Sequence, residues 1–176
     1  MLLSGVSYPA GHDLTAGELA GIITAVQGLS GSVAKAADES VTSSTTLQDD
    51  DELFFTVAAN AVYEVGGFLR YLGVAGVGIF KVGWSGPASA TFDWLPSGLI
   101  DTDTANTADH MWGGYKAIGD SNTFGGSGST AVVARPYGRL VTSTAGTFKL
   151  RWAQGTSSGT ATTLKAQSYL IYRRIT

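Results

Sequence analysis

The chain contains no cysteine, which excludes disulfides, thiolate metal sites and cysteine nucleophiles. Its two histidines, His12 and His110, lie far apart in sequence, so a histidine-rich metal centre is not expected. No apolar run approaches the roughly 20 residues of a membrane-spanning helix, and the N-terminus lacks the basic start of a secretory signal. The expectation is a protein that is soluble when made and has no membrane partner. Dense basic clusters are also missing and the net charge is −3, which argues against a nucleic-acid partner. What is present is a chain of 176 residues, enough for one domain with an N-terminal extension. A domain of about 150 residues buries roughly 68–70% of its unfolded surface, so a core can form without covalent staples.

Charge is unevenly distributed along this chain. All 14 acidic residues fall at or before Asp120, whereas seven of the 11 basic residues follow it: Arg135, Arg139, Lys149, Arg151, Lys165, Arg173 and Arg174. Such a split predicts that early and late strands are neighbours, with opposite charges meeting across a sheet. The competing reading is a basic C-terminal portion that contacts an acidic surface on another subunit or protein.

The stretch from Val41 to Leu72 organises the rest. Leu53 to Val57 is an apolar, β-branched and aromatic run, Asn60 interrupts it, and Val62, Tyr63 and Val65 resume it, the pattern of a hairpin in a sheet. Upstream, Met1 to Gly11 is read as an extended arm. A helix then starts at Thr15, an N-cap whose capping-box partner is Glu18, with Leu14 and Leu19 at the staple positions. Leu19, Ile22, Ile23, Val26 and Leu29 recur at spacings of three and four, giving one apolar stripe. Gly28 or Gly31 is the expected stop. A helix of about fourteen residues is marginal alone, so the stripe must pack on its own domain or serve attachment and oligomerisation.

From Ser40 onward, short strands alternate with Gly, Ser, Thr and Asn turns. Candidate strands are Leu53 to Ala58, Ala61 to Leu72, Val77 to Trp84, Ala90 to Leu95, Met111 to Ile118, Ala131 to Thr142, Thr147 to Gln154 and Ser168 to Ile175. The fold class is therefore mostly β: an antiparallel β-sandwich or jelly roll of about eight strands with a short N-terminal arm and one helix. Residues 1–39 form the arm and helix, and residues 40–176 the β-domain. Phe148, Leu150 and Trp152 alternate with Lys149 and Arg151. Tyr169 and Ile171 share one face of the last strand, whose first half is apolar on both sides, as in a central strand or at a subunit interface.

TSSTTLQDDDELFFTVAANAVYEV, together with AGTFKLRWAQ and ATTLKAQSYLIYRR, resembles a β-domain recurrent in virion structural proteins of tailed bacteriophages, above all those of actinobacteria. In that family it occurs in short head-associated proteins and in minor tail or fibre proteins. The resemblance covers Thr42 to Val65 and Ala145 to Arg174. It implies a jelly-roll-like sandwich that forms a trimer and decorates or projects from the particle.

Several motifs are weighed and set aside. Asp49, Asp50, Asp51 and Glu52 are consecutive, and consecutive residues rarely converge on one cation. Asp101, Asp103 and Asp109 have better loop spacing for calcium, yet only Thr, Ala and Asn lie between them, and no metal is expected. Phe124 to Ser129 lacks the final glycine of a nucleophile elbow, and no histidine follows it. The glycines at 73, 76 and 78 do not match dinucleotide spacing. No cofactor and no enzymatic activity are expected. Trp94 and Trp112 are core aromatics or, alternatively, an exposed platform for a sugar ring beside the loop Pro96 to His110.

The resulting expectation is a virion structural protein, a trimeric capsid decoration or head-fibre protein. It would be made in the host cytoplasm and docked on the phage major capsid protein through Leu14, Leu19, Ile22, Ile23, Val26 and Leu29, with Tyr169 and Ile171 between subunits. The alternative is a minor tail, tail-tip or receptor-binding protein that associates with tail proteins and touches host glycan through Trp94 and Trp112. A third class is a glycan-active module unconnected to virions, drawing on Asp93, Asp101, Asp103 and Asp109; a hydrolase would need two carboxylates about 5 to 9.5 Å apart.

Overall fold

The structure, a computed structural model, describes residues 15–27, 30–74, 76–99, 110–112 and 114–175. Among the described residues, one helix, α1 (Ala16–Gln27), precedes fourteen strands. These are β1 (Ser30–Ala34), β2 (Glu39–Val41), β3 (Gln48–Val57), β4 (Ala61–Leu72), β5 (Gly76–Ser85), β6 (Thr91–Leu95) and β7 (Ser97–Leu99). They continue with β8 (His110–Trp112), β9 (Asn122–Gly126), β10 (Val132–Ala134), β11 (Tyr137–Thr142), β12 (Gly146–Ala153), β13 (Thr162–Leu164) and β14 (Tyr169–Arg174).

The strands form an antiparallel sandwich, the expected fold class. One sheet runs β1-β14-β4-β11-β6, with β10 and β13 on the far end of β4 and β2 on β13; the facing sheet runs β3-β12-β5-β9. A small ribbon, β7-β8, completes the described strands. Long β4 serves several partners because β10 and β11 share it end to end. They are separate strands, where the sequence predicts one from Ala131 to Thr142, because Pro136 has no N–H to give the ladder. Its ring fills the space over Gly67, where a Cβ would come within 2.9 Å of it.

Two further expectations are corrected. β3 and β4 do not form a hairpin: β3 pairs with β12 in one sheet, while β4 lies in the other. The link through Asn60, at φ 51°, turns the chain from sheet to sheet. Both runs need a buried face, and opposite sheets satisfy that as well as a ladder does. In addition, β1 is a strand well before Leu53, where the candidate strands of the sequence begin. Its strand conformation comes from five residues of pairing with β14, not from apolar alternation.

The core lies between the sheets. Trp94, Trp152, Tyr63, Tyr71, Phe80, Phe92, Phe124 and Phe148 are its largest fully buried side chains. Rings stack at Phe55–Tyr172 (4.0 Å), Tyr71–Phe80 (4.4 Å) and Trp84–Phe148 (5.2 Å), adding directional contacts to large buried areas. Phe148, Leu150 and Trp152 point inward and Lys149 and Arg151 stay partly exposed, as their alternation predicts. The charge split is answered in the same way: Asp49 pairs with Lys149 at 3.0 Å, Glu64 with Arg173 at 2.6 Å, and Asp38 with Lys165.

Candidate interaction surface

Four neighbouring strands of the larger sheet turn one face to the core and the other outward. On β14, Leu170 is buried while Tyr169, Ile171 and Arg173 are exposed; on β11, Gly138 and Leu140 are buried while Tyr137 and Arg139 are exposed. Register places the outward residues in rows. Ile171, Gly66, Tyr137 and Leu95 lie level across β14, β4, β11 and β6. One step along the strands, Arg173, Glu64, Arg139 and Asp93 form a second row. In the other direction Tyr169 stands beside Phe68.

The apolar row opens two adjoining grooves with Tyr137 as their common wall. The larger, about 600 Å³, includes Leu95, Tyr115, Ile175 and all four charged residues. The smaller, about 340 Å³, is lined by Gly66, Phe68, Pro136, Tyr169 and Ile171 among others. Tyr169 stacks on Phe68 at 5.4 Å, and the Arg135 guanidinium lies 5.2 Å from the Phe68 ring centroid, a cation–π arrangement. Tyr137, Ile171 and Ile175 are each about half exposed and Tyr115 more so. Large apolar side chains gathered on one face mark interaction sites more often than scattered ones do.

The charged row is only half satisfied internally. Glu64 accepts hydrogen bonds from the Tyr137 hydroxyl and from Arg173, at 2.9 Å from Nε and 2.6 Å from the guanidinium tip. The Tyr137 hydroxyl and then Arg173 hold the Glu64 carboxyl below the usual range, and Glu64 in turn raises the Tyr137 phenol. The side chains of Arg139 and Asp93, level with each other in the ladder, make no hydrogen bond or ion pair among the described residues.

A second charged cluster is buried. Lys35, just after β1, donates from Nζ to Glu39 at 2.6 Å and to Asp50 at 2.9 Å, with Glu52 at 3.5 Å. Asp50 also accepts from the Trp152 indole at 3.1 Å and from the backbone N–H groups of Glu52 and Leu53. Burial alone would lower the Lys35 pKa; the Glu39 and Asp50 carboxylates outweigh it and raise the pKa above the ordinary lysine range. Burial likewise raises Glu39, against the pull of Lys35. The acidic run is thus not exposed throughout, since Asp50 turns inward. An ammonium already occupies the centre of its carboxylates, and no group of three potential metal ligands forms among the described residues.

The sequence-predicted site residues separate. Tyr169 and Ile171 lie together on the outer face. Thr15 and Glu18 close the capping box, with Glu18 N–H to Thr15 Oγ at 3.2 Å and Thr15 N–H to Glu18 at 2.9 Å. Leu19 is exposed on α1 and Ile22 partly buried. Leu14 and Leu29 fall outside the described residues, and the side chains of Ile23, Val26 and Trp112 outside the described side chains. Asp101, Asp103 and Asp109 also lie outside them. Trp94 is no platform: it is fully buried, edge-on to Trp84 at 6.0 Å, and its indole donates to the Ala117 carbonyl at 3.2 Å. Inward alternation in β6 put it there. Sequence reading missed Tyr137, Arg139 and Glu64, although alternation within YGRL and AVYEV carries their outward phase.

No family model matches this sequence, and no curated protein matches it. Among solved structures, the tripod (BppUct-A-L) from the baseplate of bacteriophage Tuc2009 aligns over 96% of this chain and 74% of that one, at 14% identity and a TM-score of 0.32. A structure of infectious bursal disease virus Gt strain aligns over 82% and 37%, at 6% identity and a TM-score of 0.22.

Proposed function

We propose that the chain is a non-enzymatic bacteriophage virion structural protein. In this reading it is a capsid decoration or head-fibre protein that docks through its arm and α1 and assembles into a homo-oligomer, three copies in the arrangement the resemblance implies. The virion assignment is supported by the resemblance of Thr42 to Val65 and Ala145 to Arg174. The observation that carries self-association, whatever the copy number, is the outer face, where exposed Tyr169, Ile171 and Tyr137 join half-buried Phe68 in one apolar surface. Docking through α1 is supported by the exposure of Ala16, Gly17, Leu19, Ala20 and Gly21. The test is binding of labelled full-length protein to phage heads lacking it, to isolated tails and to host cells. Saturable binding to heads, lost in Leu19→Asp with an unchanged sandwich, is expected; head binding that survives this change contradicts docking through α1.

A second reading, a tail or receptor-binding protein that contacts host glycan, is favoured by the larger groove. Tyr115 and Tyr137 beside Asp93, Glu64 and Arg139 combine an aromatic face with hydroxyl-binding groups. Binding to tails or cells, abolished by Tyr115→Ala, would select it.

A further inference from the structure

We infer that the outer face of the larger sheet closes against the same face of a second copy, across a two-fold axis that runs along the strands between β4 and β11. This deepens the assembly reading above and rests on it. The partner is read from the order of charge in the row Arg173, Glu64, Arg139, Asp93, which register fixes as plus, minus, plus, minus. A two-fold axis along the strands reverses the order of columns but keeps each row level. Arg173 then meets Asp93 of the second copy, and Glu64 meets its Arg139. Every position faces the opposite sign, because the row is antisymmetric about its midpoint. Antisymmetry of this kind is what an isologous contact requires, and a foreign partner does not require it.

The neighbouring row obeys the same operation. Ile171 meets Leu95 of the second copy, and Tyr137 meets Gly66, so apolar surface meets apolar surface at each step. The pairing also gives partners to Arg139 and Asp93, whose side chains make no hydrogen bond or ion pair among the described residues. Apolar rows supply the area, while the charges set register and reject other alignments. Two sheets packed face to face keep their strands within about 30° of each other, which this axis allows. With this face closed two-fold, the three-fold arrangement that the resemblance implies would need another surface of the molecule, and the two together would give six copies.

The test is the mass of the full chain in solution by sedimentation velocity, wild type against Arg139→Glu with Asp93→Lys. The double change keeps the net charge and leaves an attractive pair within each chain. It makes the row plus, minus, minus, plus, so every charge would meet its own sign across the axis. Expected are an even-numbered wild-type assembly and, for the double variant, a drop to half that number with an at least tenfold weaker association constant. Adding Arg173→Glu and Glu64→Arg restores antisymmetry with the signs inverted, and the even-numbered assembly returns. A wild-type monomer overturns both this pairing and the assembly reading. A trimer, or any assembly indifferent to the swap, overturns the two-fold face alone and leaves oligomerisation standing.

Discussion

Two ionic clusters in this sandwich share residue types and differ in closure. Around Lys35, one ammonium that spans the two sheets meets Asp50 and Glu39, and Asp50 is further held by Trp152 and two backbone donors. Across the outer face, Glu64 is held by Tyr137 and Arg173, while the Arg139 and Asp93 side chains have no hydrogen bond or ion pair among the described residues. A cluster that is buried and complete belongs to folding, because an uncompensated charge there is costly. One that is exposed, aligned and half-satisfied beside apolar side chains is arranged for something outside the chain.

The comparison breaks most visibly at Lys35. Lys35→Met leaves Asp50 buried without its counter-ion, and breaking a buried pair costs about 3–5 kcal/mol. Urea unfolding should show a loss of that order, whereas a loss under about 1 kcal/mol would make the cluster dispensable. Gly138 and Arg139 then test the two faces of one strand. A Cβ at Gly138 would clash with the Asp93 carbonyl oxygen and stand 2.7 Å from the Phe92 ring, so Gly138→Ala should cost about 1–3 kcal/mol through overpacking.

Titration separates the clusters more gradually. Lys35 is raised above 10.5, and burial raises Tyr71 above its ordinary 10.0. Their contributions are therefore complete below those values and are lost as pH rises through the folded pKa values. Glu64, lowered from 4.5 by Tyr137 and Arg173, contributes above 4.5 and loses its contribution as pH falls through the folded pKa. Unfolding of Lys35→Met against pH should show a smaller alkaline decline than wild type, and a changed acid limb as well, because Lys35 also pulls on the Glu39 and Glu52 carboxyls. The smallest effect is expected for Arg139→Ala, within about 0.5 kcal/mol of wild type for an exposed site, measured at concentrations where the chain is monomeric.

Strand existence was legible where alternation is strong, as in Phe148, Leu150 and Trp152, and so was the helix start, because Thr15 and Glu18 carry the capping chemistry in four residues. Pairing was not, since alternation reports that a strand has a buried face without naming the neighbour; β3 and β4 parted into different sheets for that reason. β1 left no trace, as Ser30 to Ala34 owes its conformation to β14. Of the candidate surface, Tyr169 and Ile171 were visible in a strand apolar on both sides. Tyr137, Arg139 and Glu64 needed register, which only the folded sheet supplies, and Trp94 was misread as a possible platform because an isolated sequence does not show which phase of β6 faces inward. Lys35 sits among alanines and shows nothing of its carboxylate partners.

Hydroxyl-radical footprinting of the full chain, read at Tyr137 and Tyr169 across a wide concentration range, tests the outer face most directly. Protection of both should rise with concentration, while exposed Phe54 on the other sheet stays equally reactive throughout. Labelling of Tyr137 and Tyr169 that is strong and independent of concentration would contradict an outer face closed by a second copy.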